Sequence, residues 1–313
     1  MKGIVTGTRG FIGSILTQRL LDLGHEVLAI DNFDRGLNRV KLQPNLTLVR
    51  KDCREGILDI LVQEPYDFIV HLAAGTGSLS RPYEELVDLN VHMTETLYNN
   101  ACSAGVKLFA FPMTSLSLDS ELKDAPYVKS KQDAMDWLLK QNNRTRVVPF
   151  MFFNQVGAYK SLTEYRKQEV HVGPTLLSCY LGKVPFVING SDYDTVDGTP
   201  ARDYTNVVNT VDFIIHTLGL NLTLPEGFLP YPTPLQLGTG TCTTTMELVQ
   251  HFREIIGHVD VEMGPRRPFD TAYVKCEQTH LQDFNSNLTL AKDSYMHEWT
   301  TLLEIYLPGR KGE

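Results

Sequence analysis

Three glycines and one aspartate are the first residues whose types and spacing could do chemistry. They fall in Thr6-Gly7-Thr8-Arg9-Gly10-Phe11-Ile12-Gly13, with Asp31 following 18 positions after Gly13. A phosphate loop needs glycine where the turn is tightest, where backbone approaches a diphosphate, and where helix meets strand. The free N–H groups and the positive dipole end of the following helix then hold the diphosphate. A carboxylate at the end of the next strand accepts both ribose hydroxyls and repels a 2′-phosphate, so Asp31 favours NAD over NADP. Arg9 and Arg35 are the cations nearby that could serve such a phosphate. A second pair, Tyr127 and Lys131, follows Pro126 with the i, i+4 spacing of one helical face. A tyrosine with a pKa of about 10 is a poor base at neutral pH. A lysine ammonium and a positive nicotinamide beside it favour the phenolate and make the pair a proton-transfer unit. The plain alternative is an aromatic residue next to a solvated lysine.

These residues need a scaffold, and the apolar pattern supplies one. Strands are expected at Gly3–Thr6, His25–Ile30, Leu46–Val49, Phe68–Leu72, Val106–Phe111 and Arg146–Phe153. Between them, helical spacing covers Phe11–Leu23, Pro82–Ser103 and Ser130–Lys140, with Gly24 and Gly105 as stops. Strands that read as continuous apolar runs are buried on both faces, which implies a parallel sheet between helix layers. The expected fold is therefore α/β: a doubly wound, Rossmann-type parallel sheet with a smaller mixed α/β C-terminal substrate lobe. Residues 1–156 form the dinucleotide-binding part, to which part of 205–240 returns. Residues 157–204 and 241–308 form the lobe and 309–313 a tail; helical stretches in this second half fall near Pro174–Leu181, Asn209–Thr217 and Thr245–Ile256.

Bulk properties narrow the class. A chain of 313 residues, 42% hydrophobic and 21% charged, suits a well-cored globular protein. Its net charge of −8 and lack of a basic run argue against a nucleic-acid partner. Five scattered cysteines without CxxC spacing argue for a reducing compartment and against a metal site or disulfide framework. Met1 leads directly into a strand, leaving no room for a signal peptide, and no apolar run approaches the ~18 residues of a membrane span. A cytoplasmic enzyme acting on a small molecule is expected.

The TGxxGxxG loop with a later YxxxK resembles the extended short-chain dehydrogenase/reductase family. Asp192-Tyr193-Asp194-Thr195-Val196-Asp197-Gly198-Thr199-Pro200-Ala201-Arg202-Asp203-Tyr204 resembles the UDP-glucose 4-epimerase branch of that family. So do Phe152-Phe153-Asn154, Leu237-Gly238-Thr239-Gly240 and Pro265-Arg266-Arg267-Pro268-Phe269-Asp270. The resemblance implies C4 epimerisation of a nucleotide-diphospho-sugar through a 4-keto sugar on tightly held NAD. It implies Tyr127 as acid/base, Lys131 at the nicotinamide ribose and Thr114 at the substrate hydroxyl. Asp31 and Asn32 would hold the adenosine ribose, Asp52 and Cys53 would meet adenine, and Leu72, Ala73, Ala74 and Asn90 would line the cofactor groove. Asn154, Arg202 and Arg267 would hold the nucleotide diphosphate, Asp270 would meet the uridine ribose, and His171 stands near a uracil contact. Forked guanidinium donors suit a diphosphate, and an acidic chain must supply them locally. Taken singly, either arginine also suits a surface ion pair.

The sequence departs from that branch in places. Pro112-Met113 replaces small hydroxyl residues, the segment from Thr114 to Tyr127 is short, and Gly75–Arg81 offers no lysine. Val207-Val208-Asn209 stands where two aspartates commonly follow Arg-Asp-Tyr, and His171 where an asparagine is usual. Alternatives are a nucleotide-sugar 4-reductase, a 4,6-dehydratase, and a non-catalytic NAD-binding sensor or scaffold. The dehydratase branch resembles Thr-Asp-Glu where this chain has Thr114-Ser115-Leu116. A homodimer is expected from the resemblance, through Pro82–Ser103 and Ser130–Lys140. Met93, Leu97, Met135 and Leu139 stand at contact spacing, although the same residues could face the sheet.

Overall fold

The computed structural model describes residues 1–76, 81–141, 144–167, 171–223, 231, 233–268, 270–278, 280–289 and 291–307. The expected tail 309–313, Phe269 and most of the loop after Gly75 lie outside the described residues. The chain runs through β1 (Lys2–Thr6), α1 (Phe11–Asp22), β2 (Glu26–Asp31), β3 (Leu46–Arg50), α2 (Leu58–Leu61) and β4 (Phe68–His71). Next come α3 (Tyr83–Leu86), α4 (Met93–Ser103), β5 (Leu108–Thr114), α5 (Pro126–Leu139), β6 (Arg146–Phe152) and β7 (Asn154–Val156). The second half holds α6 (Val172–Gly182), β8 (Phe186–Asn189), β9 (Ala201–Asn206), α7 (Val207–Leu222), β10 (Leu235–Leu237) and β11 (Cys242–Thr244). It ends with α8 (Thr245–Ile255), β12 (Val261–Gly264), β13 (Tyr273–Val274), α9 (His280–Phe284) and α10 (Ala291–Tyr306).

Seven strands form one parallel sheet in the order β10-β6-β5-β4-β1-β2-β3. The expected doubly wound architecture is what forms, because the apolar runs have cores on both faces. On one face Ile4, Ile30, Phe109 and Phe111 pack with Leu97, Tyr98, Met135 and Leu138 from α4 and α5. On the other, Val5, Val27, Val70 and Phe150 pack with Ile15, Leu16 and Leu20 of α1 and Val211, Ile214 and Leu218 of α7. Strand order reverses between β1 and β4, the place where ligands enter such sheets at the carboxyl ends of the strands.

The remaining strands are short and joined over long sequence distances. β7, β11 and β13 pair with β9, and β8 pairs with β12. They cover a third core in which Leu176, Leu177, Phe186, Leu248, Phe252, Tyr295, Trp299 and Leu302 are buried together. Two expectations change. The helix read as Ser130–Lys140 starts at Pro126, because proline is tolerated at the first helical position, where no N–H is required. Of the residues expected at a dimer contact, Met93, Leu97 and Met135 belong to the core of the chain itself; Leu139 alone is exposed, at 52%. The three buried residues are used up inside the chain, and Leu139 alone of the four stays on the surface. Among the described residues no helix is long and apolar enough to cross a membrane.

Candidate functional site

A cleft of about 1600 Å³ runs along the carboxyl ends of the strands. Gly7, Gly10, Phe11, Ile12 and Gly13 line one end, Tyr127, Lys131 and Thr114 its middle, and Arg202, Arg267 and Asp270 the other.

Backbone geometry makes the first end a cradle for a diphosphate. Gly7 has φ +72°, and a Cβ there would lie 2.8 Å from the Ala73 nitrogen. A Cβ on Gly13 would lie 2.2 Å from the Gly7 carbonyl oxygen, so α1 can seat against the end of β1 only because glycine stands there. No side chain caps α1, which leaves its first-turn N–H groups turned outward for an anion. Asp31 is buried and oriented by two amides: Oδ2 accepts the Arg9 N–H at 2.9 Å and Oδ1 the Phe33 N–H at 2.7 Å. Each oxygen keeps a lone pair for a ribose hydroxyl. The two cations that could have answered a 2′-phosphate are engaged elsewhere. Arg9 Nε donates to the Asn38 carbonyl at 3.1 Å, and Arg35 Nη1 donates to the Thr76 carbonyl at 2.7 Å. The residues present fit NAD.

The other candidates for this end sit as follows. Asn32 Oδ1 accepts the Asp34 N–H at 3.1 Å. Asp52 faces the cleft but takes the Arg54 guanidinium, Nη2 donating at 2.7 Å, which holds its carboxyl below the usual range. Burial pushes the Cys53 thiol up to about 12, with the Asp52 and Asp31 charges adding to it, so the sulfur stays protonated. Leu72, Ala73 and Ala74 line the groove, the Ala73 N–H donating to Thr6 Oγ at 3.1 Å. Asn90 is buried behind the wall and holds Gly75 rather than facing the cleft.

At the centre, α5 presents Tyr127 and Lys131 together. Lys131 is 3% exposed, with Nζ 4.2 Å from the Phe111 ring centroid. Loss of hydration lowers its ammonium to about 7 and raises the Tyr127 phenol to about 12. The two shifts have one cause with opposite effect, since burial disfavours ammonium and phenolate alike. A cationic nicotinamide held in the cleft would act against this for Tyr127, by favouring the phenolate. Thr114 ends β5, and its Oγ accepts the Leu116 N–H at 3.3 Å. Short 3-10 turns at Ser115–Leu118 and Ser120–Leu122 fill the abbreviated wall before α5.

At the far end Arg202 and Asp270 form an ion pair, and Arg202 Nη1 also donates to the Ala201 carbonyl at 2.8 Å. With the Asn189 amide oriented oxygen-first, Arg267 donates to it from Nε at 3.1 Å and Nη2 at 2.9 Å. Asn154 stands on β7, paired in register with Tyr204 of β9, and both line the cleft. His171 precedes α6, and its Nδ1 contacts the Glu164 carboxylate. Glu164 is buried and also accepts from Arg166 Nη2 at 2.6 Å. Burial opposes its charge, but the His171 and Arg166 contacts win and its pKa is lowered. Sequence reasoning missed Glu164, Asn189 and Tyr204 as wall residues. No short motif marks Glu164, whereas Tyr204 closes the run Asp192–Tyr204 already recognised and Asn189 stands three positions before it.

The model of the NAD dependent epimerase/dehydratase family matches residues 4–222. The UDP-glucose 4-epimerase of Caenorhabditis elegans is 30% identical over 324 residues, spanning 90% of this chain and 91% of its own. That of Corynebacterium glutamicum is 27% identical over 290 residues, spanning 87% and 86%. The crystal structure of UDP-glucose 4-epimerase from Bifidobacterium longum, in complex with NAD+ and UDP, superposes with a TM-score of 0.84. It covers 98% of this chain and 99% of that one at 22% identity, a likeness of fold.

Proposed function

The chain belongs to the NAD dependent epimerase/dehydratase family, and we propose that it inverts C4 of a UDP-linked hexose through a transient 4-keto sugar. The observation that carries this reading is the single cleft joining a dinucleotide cradle to Tyr127 and Lys131, and these to two arginines. Its curated relatives named UDP-glucose 4-epimerase span nearly its whole length.

NAD, when bound, supplies a reversible hydride acceptor next to the sugar. Tyr127 takes the proton of the C4 hydroxyl and later returns it to the same oxygen. The protonated Lys131 supports the phenolate and meets the nicotinamide ribose. Thr114 donates a hydrogen bond to the oxygen that changes between hydroxyl and ketone. Arg267 and Arg202 grip the diphosphate, with Asn154 beside them, while Asp270 meets the uridine ribose. Holding the nucleotide and leaving the sugar free lets the ketone turn and present its other face. Dehydration at C6 would need a further acid/base pair, and Ser115-Leu116 after Thr114 does not provide one.

Incubation with UDP-glucose or UDP-galactose, followed by chromatographic analysis of the UDP-hexoses, tests the reading. Interconversion is expected; its absence for every UDP-hexose tried overturns it. A cytoplasmic setting belongs to the same proposal and is supported by five free cysteines. A homodimer does too; light scattering on the eluted protein decides it.

A further inference from the structure

Behind the cofactor groove, a chain of hydrogen bonds runs from the loop after β4 to the backbone of Tyr127. Asn90 and Ser130 are both fully buried, at 1% and 0% exposure. Asn90 Oδ1 accepts the Gly75 N–H at 2.7 Å. Its two amide hydrogens are both spent: Nδ2 donates to the Gly75 carbonyl at 3.2 Å and to Ser130 Oγ at 2.9 Å. Ser130 Oγ in turn donates to the Tyr127 carbonyl at 2.8 Å. A single side chain therefore holds both backbone polar groups of a groove residue and one residue of the catalytic helix.

The element carrying Asn90 is shaped for this. Val87–His92 is a π-helical stretch running without a break from α3 into α4. Such stretches shift the register of the side chains after them, and they concentrate at functional sites. Here Leu89 and Met93 face the cleft while Asn90 reaches Gly75 from behind. The loop presses on this stretch so closely that a Cβ on Gly75 would lie 3.0 Å from Leu89 Cβ and 3.1 Å from Leu86 Cδ2. Thr94 Oγ donates to the Asn90 carbonyl at 2.7 Å and satisfies a backbone acceptor within the stretch.

We infer that Asn90 and Ser130 are positioning residues: a strut that sets the cofactor groove at Gly75 and the proton-transferring Tyr127 as one unit. Neither touches the substrate. The inference rests on the epimerase reading for its kinetic consequence but not for its structural one.

The test uses the NAD-saturated protein and the variants Ser130→Ala, Ser130→Thr, Asn90→Ala and Asn90→Ala/Ser130→Ala. For Ser130→Ala, kcat should fall about tenfold with KM within about twofold, and the rising limb of the kcat–pH profile should move by about half a unit. Ser130→Thr, which keeps the hydroxyl, should restore most of both. The double variant should lose no more kcat than Asn90→Ala alone, because the two residues act through one link. A Ser130→Ala profile superimposing on the parent, or losses that multiply in the double variant, overturns the strut. Backbone hydrogen exchange over residues 126–131 supplies a readout independent of turnover and should quicken about tenfold in Asn90→Ala and Ser130→Ala. Unchanged protection there overturns the strut whatever the activity. Faster exchange in a protein that interconverts no UDP-hexose supports the strut and overturns the epimerase reading alone.

Discussion

Lys131 has given up its hydration to stand beside Tyr127, and the cost can be measured. Burial lowers its ammonium to about 7, against about 10.4 in an unfolded chain. Between those values the unfolded state binds a proton that the folded state does not, so the cofactor-free protein should gain stability as pH rises from 7 towards 10. Lys131→Met removes that gain and the buried-cation penalty together. Its cofactor-free Tm should exceed the parent's by about 5 °C at pH 7, with the difference closing towards pH 10. Turnover should fall at the same time, and equal Tm values across that pH range in scanning calorimetry would refute the argument. Tyr127→Phe isolates the other partner: kcat should drop by about 10²–10⁴-fold with NAD retained, in a coupled assay for UDP-glucose. Residues of this kind were legible because their chemistry needs fixed types at a fixed local spacing. Glu164 was not, since it comes to the cleft only through the folding of the lobe, and its partners Arg166 and His171 form no recognised motif.

Elements differ in legibility for a similar reason. The loop between β1 and α1 was readable because each glycine answers a steric demand. Gly13→Ala should therefore push α1 off β1, weakening NAD binding about 10–100-fold by calorimetric titration, since the new Cβ would meet the Gly7 carbonyl. Helix α10 went unread although Tyr295, Trp299 and Leu302 recur at helical spacing and are fully buried. Its inward face also carries Ser294 and Glu298, which blur the apolar stripe. Both polar residues have structural work: Ser294 Oγ accepts from Asn206 Nδ2 at 2.9 Å, and Glu298 Oε2 accepts the Gly157 N–H at 3.0 Å. Trp299 stacks on Tyr295 with ring centroids 5.3 Å apart and donates Nε1 to the Gly173 carbonyl at 3.2 Å. Trp299→Ala should cost about 3–5 kcal/mol in denaturant unfolding.

At the scale of the whole molecule, most strands of the sheet could be foreseen, and of the lobe its existence and the helices α6 and α8, but not its strands. Most neighbouring strands of the sheet follow one another in the chain, and several read as continuous apolar runs, whereas β7, β11 and β13 are two or three residues long and all reach β9 from distant parts of the chain. That lobe completes the cleft, and it does so in a protein of net charge −8 that must bind a diphosphate. Its two arginines are not equivalent. Arg202 is already neutralised by Asp270, while Arg267 leans on the neutral amide of Asn189 and keeps its charge for a ligand. Removing Arg267 deletes a charge-assisted grip worth roughly 1.5–3 kcal/mol, so Arg267→Ala should weaken UDP binding about 10–100-fold. Removing Arg202 does something worse, for it leaves the Asp270 carboxylate uncompensated against an anionic ligand. Arg202→Ala should therefore lose more UDP affinity than Arg267→Ala, and adding Asp270→Asn to it should recover part of the loss. Calorimetric titration of the NAD-saturated variants with UDP decides the order. If Arg202→Ala binds UDP as well as the parent, or Asp270→Asn brings no recovery, the Arg202–Asp270 pair is a fixture of the lobe rather than part of the nucleotide site.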